Sequence, residues 1–138
     1  SFPTRRSSDL GVAEFLDHLD AKWRAAVITD GRSISQRLKL KTLGLDHLPV
    51  YISEDYGSEK PSPERFEFVM HDMPAKRYVY VGDNLKKDFL APNQLGWTTV
   101  CLRDDGRNIH PQIKQDSLSG GEPHLWIDCF AQLNNFLC

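Results

Sequence analysis

From Val12 to Trp23 the apolar positions Val12, Phe15, Leu16, Leu19 and Trp23 recur every three or four residues, the period of a helix with one buried face. Ala25 to Thr29 then reads as a short buried strand, and Asp30-Gly31 punctuates its end. Ser33 is placed to cap a second helix with Ile34, Leu38 and Leu43 on one side, and Gly44 to end it as a left-handed cap residue. Val50 to Ser53 forms a second strand. The polar stretch from Glu54 to Pro63, which holds Lys60-Pro61, is a loop, and Pro63 suits the first turn of the next helix. That helix buries Phe66, Val69 and Met70 and is limited by Pro74. Tyr78-Val79-Tyr80-Val81 is a run of aromatic and β-branched residues, which fits a strand covered on both faces. Gly82 lets the chain turn where a side chain would crowd it. A helix with Phe89, Leu90 and Leu95 as its apolar side follows, with Pro92 early enough to be tolerated and Gly96 at its end. Trp97 to Leu102 is a fourth strand. Residues 103–123 read as a long surface loop with a short helical turn near Ile113. Leu125-Trp126-Ile127 is an edge strand, and Asp128 caps a closing helix carrying Phe130, Leu133, Phe136 and Leu137. Strand and helix alternate four times, which predicts an α/β fold: an open parallel sheet with helices on both faces.

At 138 residues the chain suits one domain with a modest core. Charged residues make up 26% and the net charge is −2, which gives no electrostatic case for nucleic acid or an anionic membrane. No apolar run reaches the length of a membrane span, and no secretory signal opens the sequence. Cys101, Cys129 and Cys138 form an odd set without Cys-x-x-Cys spacing, which favours a reducing, cytoplasmic setting and small buried hydrophobes over a disulfide framework. Residues 1–10 carry no initiator Met and no apolar period. They read as a non-native or linker segment, similar to translated sequencing-adapter read-through, and residues 11–138 as a partial core domain.

Polar groups follow three of the strands. Thr29 ends the first, Lys60 lies in the loop after the second, and Asp83 with Asp88 follows the third. In an open parallel sheet these carboxyl ends converge on one edge, where such folds bind ligands. A threonine hydroxyl and the backbone N–H groups of Asp30 and Gly31 suit phosphate oxygens, the Lys60 ammonium suits a phosphoryl group, and the acidic pair suits Mg2+. Each residue alone has a plainer reading: Thr29 as a turn hydroxyl, Lys60 as a solvated loop charge, the aspartates as turn formers.

Val27-Ile28-Thr29-Asp30-Gly31, Ser58-Glu59-Lys60-Pro61-Ser62-Pro63 with Phe66, and Val81-Gly82-Asp83-Asn84-Leu85-Lys86-Lys87-Asp88 with Gly96 resemble motifs II, III and IV of the haloacid dehalogenase superfamily. The resemblance covers about residues 12–137. It implies a Rossmann-like fold and a Mg2+-dependent phosphatase acting on a phosphorylated small molecule. By it, Thr29 binds the transferring phosphoryl group, Lys60 stabilises that group and the nucleophile, and Asp83 is a metal ligand. Asp88 orients Lys60 or a metal-bound water, and Asn84 supports the same shell. The superfamily's nucleophile lies in an Asp-x-Asp motif on a strand between those ending in Thr29 and Asp83, and no Asp-x-Asp occurs in this sequence. The expectation is therefore a carboxy-terminal part that lacks the nucleophile strand and cap and is inactive alone, with the Thr29 and Asp83 strands either pairing directly or leaving a groove. Asp104, Asp105, Arg107 and the loop to Pro123 are candidates for substrate contact. Two other classes are compatible with parts of the pattern. One is a non-catalytic phosphate-binding or interaction module of the same fold; the other is a receiver-like signalling domain, whose acidic residues would precede the Thr and Lys rather than follow them.

Overall fold

The computed structural model describes residues 7–103 and 119–137. The loop residues Asp104, Asp105 and Arg107, the turn expected near Ile113, and Cys138 lie outside the described residues. The chain forms two compact units, one ending at Glu59 and the other beginning at Lys60. Among the described residues all strand pairing is parallel, and it forms a two-stranded sheet in the first unit and a three-stranded sheet in the second.

In the first unit α1 spans Ser7–Asp17. It thus begins before the expected Val12 and stops short of Trp23. Its end tightens through Leu19 N–H to the Leu16 carbonyl, and Asp20 then closes a turn by accepting from Lys22 N–H (3.0 Å). An aspartate that bonds its own backbone two residues on competes with helix continuation. β1 (Val27–Thr29) pairs with β2 (Val50–Ile52) in the register Val27–Val50, Ile28–Tyr51 and Thr29–Ile52. Between them α2 (Ser33–Thr42) departs from the expected packing. Ile34 and Leu38 are 77% and 62% exposed, and the buried residue is Leu40. Ser33 is the first helical residue rather than the cap, which is Arg32. The far end follows the sequence signal: Gly44 has φ +75°, and Leu45 N–H reaches back to the Leu40 carbonyl at 2.8 Å. This is the double closure of a Schellman cap, with Leu40 and Leu45 both buried beside it. Ser53–Tyr56, expected as the last residue of the second strand and the start of the loop, forms a single helical turn, α3, ended by Gly57 at φ +62°.

In the second unit α4 (Glu64–Asp72) follows a Pro63 that serves as its cap position and buries Phe66 and Val69 as expected, but with Arg65 rather than Met70. β3 (Val79–Gly82) pairs with β4 (Thr98–Leu102), and β4 with β5 (Leu125–Ile127). β4 is central and its middle three residues are buried. β3, expected to be covered on both faces, is half-buried along its length and pairs on one side. Alternation puts Tyr78 and Tyr80 on the same face of β3. Tyr78 stacks on Trp97 (ring centroids 4.9 Å apart), Phe66 meets Trp97 and Tyr80 edge-on, and Tyr80 meets Phe89 edge-on. This aromatic chain joins α4, β3 and the start of α5 (Leu90–Gln94). Pro92 is tolerated because it falls in the first turn of α5, and Gly96 (φ +84°) ends that helix with Trp97 N–H bonded back to the Pro92 carbonyl. The closing helix is a 3-10 helix, Phe130–Asn135, capped at Cys129 rather than Asp128, and Leu133 is its buried residue. Asp128 instead accepts from Arg103 Nε at 2.8 Å. Cys101 is buried as expected of a small hydrophobe, whereas Cys129 is exposed.

A Cβ at Gly44 would meet nothing within 4 Å, so substitution there isolates the cost of the left-handed backbone from any clash. Gly44→Ala is expected to lower stability by about 1 kcal/mol, read as a shift in urea midpoint at unchanged slope.

Candidate active site

The second unit gathers Lys60, Asp83 and Asp88 at the carboxyl end of β3. Asp83 follows the last strand residue directly, and residues 84–88 fold into one turn in which Asp88 N–H donates to the Asn84 carbonyl (3.0 Å). The turn brings the Asp88 carboxylate back over the strand end. Its Oδ2 accepts from the backbone N–H groups of Asp83 (3.1 Å) and Asn84 (2.9 Å), and its Oδ1 accepts from Lys60 Nζ at 2.6 Å. Both carboxylate oxygens are thus engaged within the protein. Asp88 and Lys60 are thus in direct contact.

Gly82 makes this approach possible. Its φ is not positive, and the crowding anticipated from the sequence comes from another source than the turn. A Cβ at residue 82 would stand 2.6 Å from Asp88 Oδ2 and 3.0 Å from its Cγ. The carboxylate occupies the space a side chain would fill.

The Lys60 side chain is 10% exposed and that of Asp88 4%. Burial alone would lower the Lys60 pKa. The charges of Tyr80 and Asp88 and the hydrogen bonds to both outweigh it, so the ammonium is held well above the ordinary 10.5. Two buried ions of opposite charge in contact roughly repay their own desolvation, but removing either one strands the other. The second partner of Lys60 is Tyr80, whose hydroxyl oxygen accepts from Nζ at 3.1 Å. Sequence reasoning counted Tyr80 only as strand hydrophobe. The available signal was its hydroxyl, because a buried tyrosine usually finds a polar partner.

Asn84 is buried, and its Oδ1 accepts from Lys86 N–H (2.9 Å), so its side chain shapes the turn. Beneath the site, Cys101 pairs in register with Gly82; burial, together with the charges of Asp83 and Asp88, pushes its thiol pKa up to about 12. It is an inert packing residue at neutral pH.

Thr29, Asp30 and Gly31 lie in the first unit, at the carboxyl end of β1. Thr29 Oγ1 donates to Gln36 Oε1 (2.9 Å), and Gly31 N–H donates to Ser53 Oγ (2.8 Å), which donates in turn to the Gly31 carbonyl (3.3 Å). Gly31 has φ +139°, and a Cβ there would stand 2.7 Å from Gln36 Nε2. Gln36 and Ser53 were not singled out from sequence. Ser53 is in reach because Thr29 and Ile52 are register partners, which places the residue after Ile52 beside the β1 end. At the start of α2, Ser33 N–H donates to Glu54 Oε1 at 2.7 Å, a cap supplied by α3.

Among the described residues, no three His, Cys, Asp or Glu side chains cluster so as to hold a metal ion. Magnesium needs only one or two carboxylates, with water and phosphate supplying its other ligands. No helix among the described residues is long and apolar enough to cross a membrane.

Residues 8–102 match the family described as haloacid dehalogenase-like hydrolase. A glyceraldehyde 3-phosphate phosphatase of Methanopyrus kandleri is 38% identical over 85 residues, covering 59% of this chain and 36% of that protein. Among solved structures, the magnesium-bound HAD-hydrolase YfnB of Bacillus subtilis aligns at TM-score 0.72 and 23% identity, over 91% of this chain and 54% of that one. A HAD phosphatase of Thermococcus onnurineus aligns at TM-score 0.69 and 25% identity, over 90% and 54%. The chain therefore spans about half the length of these structures, and the α/β, Rossmann-like architecture is common to them.

Asp88→Ala leaves the Lys60 ammonium buried without its carboxylate and is expected to cost about 3–5 kcal/mol, read from denaturant unfolding. Because the folded-state pKa of Lys60 is raised, the stability it contributes is complete below 10.5 and is lost only as pH rises through the higher folded value. The cost of Asp88→Ala should accordingly vary little with Lys60 protonation through neutral pH. A lysine Nζ resonance still protonated at pH 10.5 identifies the group directly.

Proposed function

The chain belongs to the haloacid dehalogenase-like hydrolase family, and from that premise we propose that it is the phosphoryl-binding, carboxy-terminal part of a Mg2+-dependent phosphatase acting on phosphorylated small molecules. The observation that carries this reading is the buried Lys60–Asp88 pair standing directly beside Asp83 at a strand's carboxyl end. An ammonium protonated at neutral pH and held in place by a carboxylate suits a reaction in which negative charge must be gathered and stabilised. Lys60 would donate to an oxygen of the transferring phosphoryl group, and Asp88 would fix the direction of that donation. By the family resemblance, Thr29 would give its hydroxyl proton to a phosphate oxygen. It has one such proton, now donated to Gln36, so phosphate binding would exchange one acceptor for the other. Gly31 N–H would likewise exchange Ser53 Oγ for a phosphate oxygen, with Asp30 N–H as its neighbour. Asp83 would hold the Mg2+, which, when bound, supplies charge neutralisation at the phosphoryl oxygens.

The family's covalent route runs through an aspartyl-phosphate, and this sequence contains no Asp-x-Asp to form one. We therefore infer that the chain on its own binds phosphate and turns nothing over. Names of relatives such as glyceraldehyde 3-phosphate phosphatase support a small phosphate ester as the substrate class of the whole protein.

The purified chain should release no phosphate from p-nitrophenyl phosphate in the presence of Mg2+. Inorganic phosphate should nevertheless shift the Lys60 side-chain resonance, and Asp83→Asn should remove the Mg2+ dependence of that shift. Hydrolysis that disappears on Asp83→Ala would overturn the inactive assignment, and a Lys60 signal indifferent to phosphate would overturn the binding role.

A further inference from the structure

We propose that Tyr80 is a positioning residue that aims the Lys60 ammonium, acting jointly with Asp88. The inference rests on the reading of Lys60 as the phosphoryl-contacting group and adds to it the residue that fixes its direction. A lysine head group is a compact charge on a flexible four-carbon stem, and a single ion-pair partner leaves it free to swing about that contact. Here Nζ donates both to Asp88 Oδ1 at 2.6 Å and to the Tyr80 hydroxyl oxygen at 3.1 Å. Two contacts of different origin, one from the loop after β3 and one from the strand itself, fix the ammonium's position as well as its distance from either.

The hydroxyl can serve as a fixed point only if its ring is held. Phe66 of α4 lies edge-on to Tyr80 with centroids 5.1 Å apart and an interplanar angle of 74°. Phe89 lies edge-on at 6.4 Å and 70°. Both phenylalanines are fully buried, and Tyr80 packs against the core formed by Leu85, Phe89 and Cys101. Phe66 is thereby linked to the site through the ring of Tyr80. It comes six residues after Lys60 on the helix that the Lys60 loop leads into, so the segment that supplies the ammonium also supplies a ring restraining its partner. Lys60 itself stands 5.7 Å from the Tyr80 ring centroid, near the hydroxyl edge rather than over the face.

The test is Tyr80→Phe in the full chain, which keeps the ring and its packing and removes only the oxygen. The readouts are the order parameter of the Lys60 Nζ group and the exchange rate of its ammonium protons by NMR, neither of which a packing role would move. In the unaltered chain Lys60 should be ordered and slowly exchanging. In Tyr80→Phe, compared under conditions where both chains are fully folded, the order parameter should fall and exchange should rise on the order of tenfold, as expected for loss of one hydrogen bond to a charged group. Phe66→Leu, which keeps the hydroxyl but loosens its ring, should give a smaller change of the same sign. Lys60 dynamics that are identical in the unaltered chain and both variants, yet released by Asp88→Asn, would overturn the proposal and assign the positioning to Asp88 alone. Inorganic phosphate separates this from the underlying reading. If phosphate fails to shift Lys60 in the unaltered chain, the phosphoryl-binding role falls, while the effect of Tyr80→Phe on Lys60 order still decides whether Tyr80 positions it.

Discussion

A carboxylate and an ammonium removed from water must answer each other's charge and satisfy their remaining hydrogen-bonding atoms, or the protein does not tolerate them. The Lys60–Asp88 pair meets that condition, and the second unit is arranged around meeting it. Asp88 divides its two oxygens between Lys60 Nζ and two backbone amides, so one side chain holds both the charge opposite it and the loop that begins with Asp83. Gly82 leaves the room, the turn at residues 84–88 supplies the reach, and Tyr80 supplies the second contact to Nζ. The residue next to the strand end is consequently placed by a buried ion pair rather than by loop sequence alone.

The alternation of elements was legible in the sequence because both periods were clear, and the glycine stops at Gly44 and Gly96 were legible because only a left-handed residue can close those helices in this way. The Lys-Pro and Gly-Asp segments meet at the β3 end, where Lys60 contacts Asp88. What the sequence did not disclose were partnerships that depend on three-dimensional proximity. Ile34 and Leu38 have helical spacing, yet the helix turns Leu40 to the core, since periodicity locates an apolar stripe without stating what lies against it. Gln36, Ser53 and Tyr80 carry no motif at all. Each acquires its role from register or packing: Ser53 through the β1–β2 pairing, Tyr80 through the rings of Phe66 and Phe89. Asp128 was read as a cap from its position before an apolar run, but its carboxylate takes Arg103 instead, and the helix it precedes is of the tighter 3-10 type.

The two strand-end clusters also differ in kind. At the β3 end the groups are charged, buried and mutually committed. At the β1 end the donors expected for phosphate, Thr29 Oγ1 and Gly31 N–H, are neutral and are occupied by Gln36 and Ser53. Neutral partners exchange readily for a charged oxygen ligand, because hydrogen bonds to ionised acceptors are the stronger ones.

The claim beneath this account is that the Asp88 carboxylate, admitted by the missing side chain at position 82, holds the start of the functional loop. Amide hydrogen exchange at Asp83 and Asn84, compared between the unaltered chain and Gly82→Ala, measures that hold most directly. The account predicts that both amides are protected in the unaltered chain and lose protection together in the variant, while the amides of central strand β4 keep theirs. Exchange at Asp83 and Asn84 that is already unprotected in the unaltered chain, or that is indifferent to the added methyl group, would contradict it.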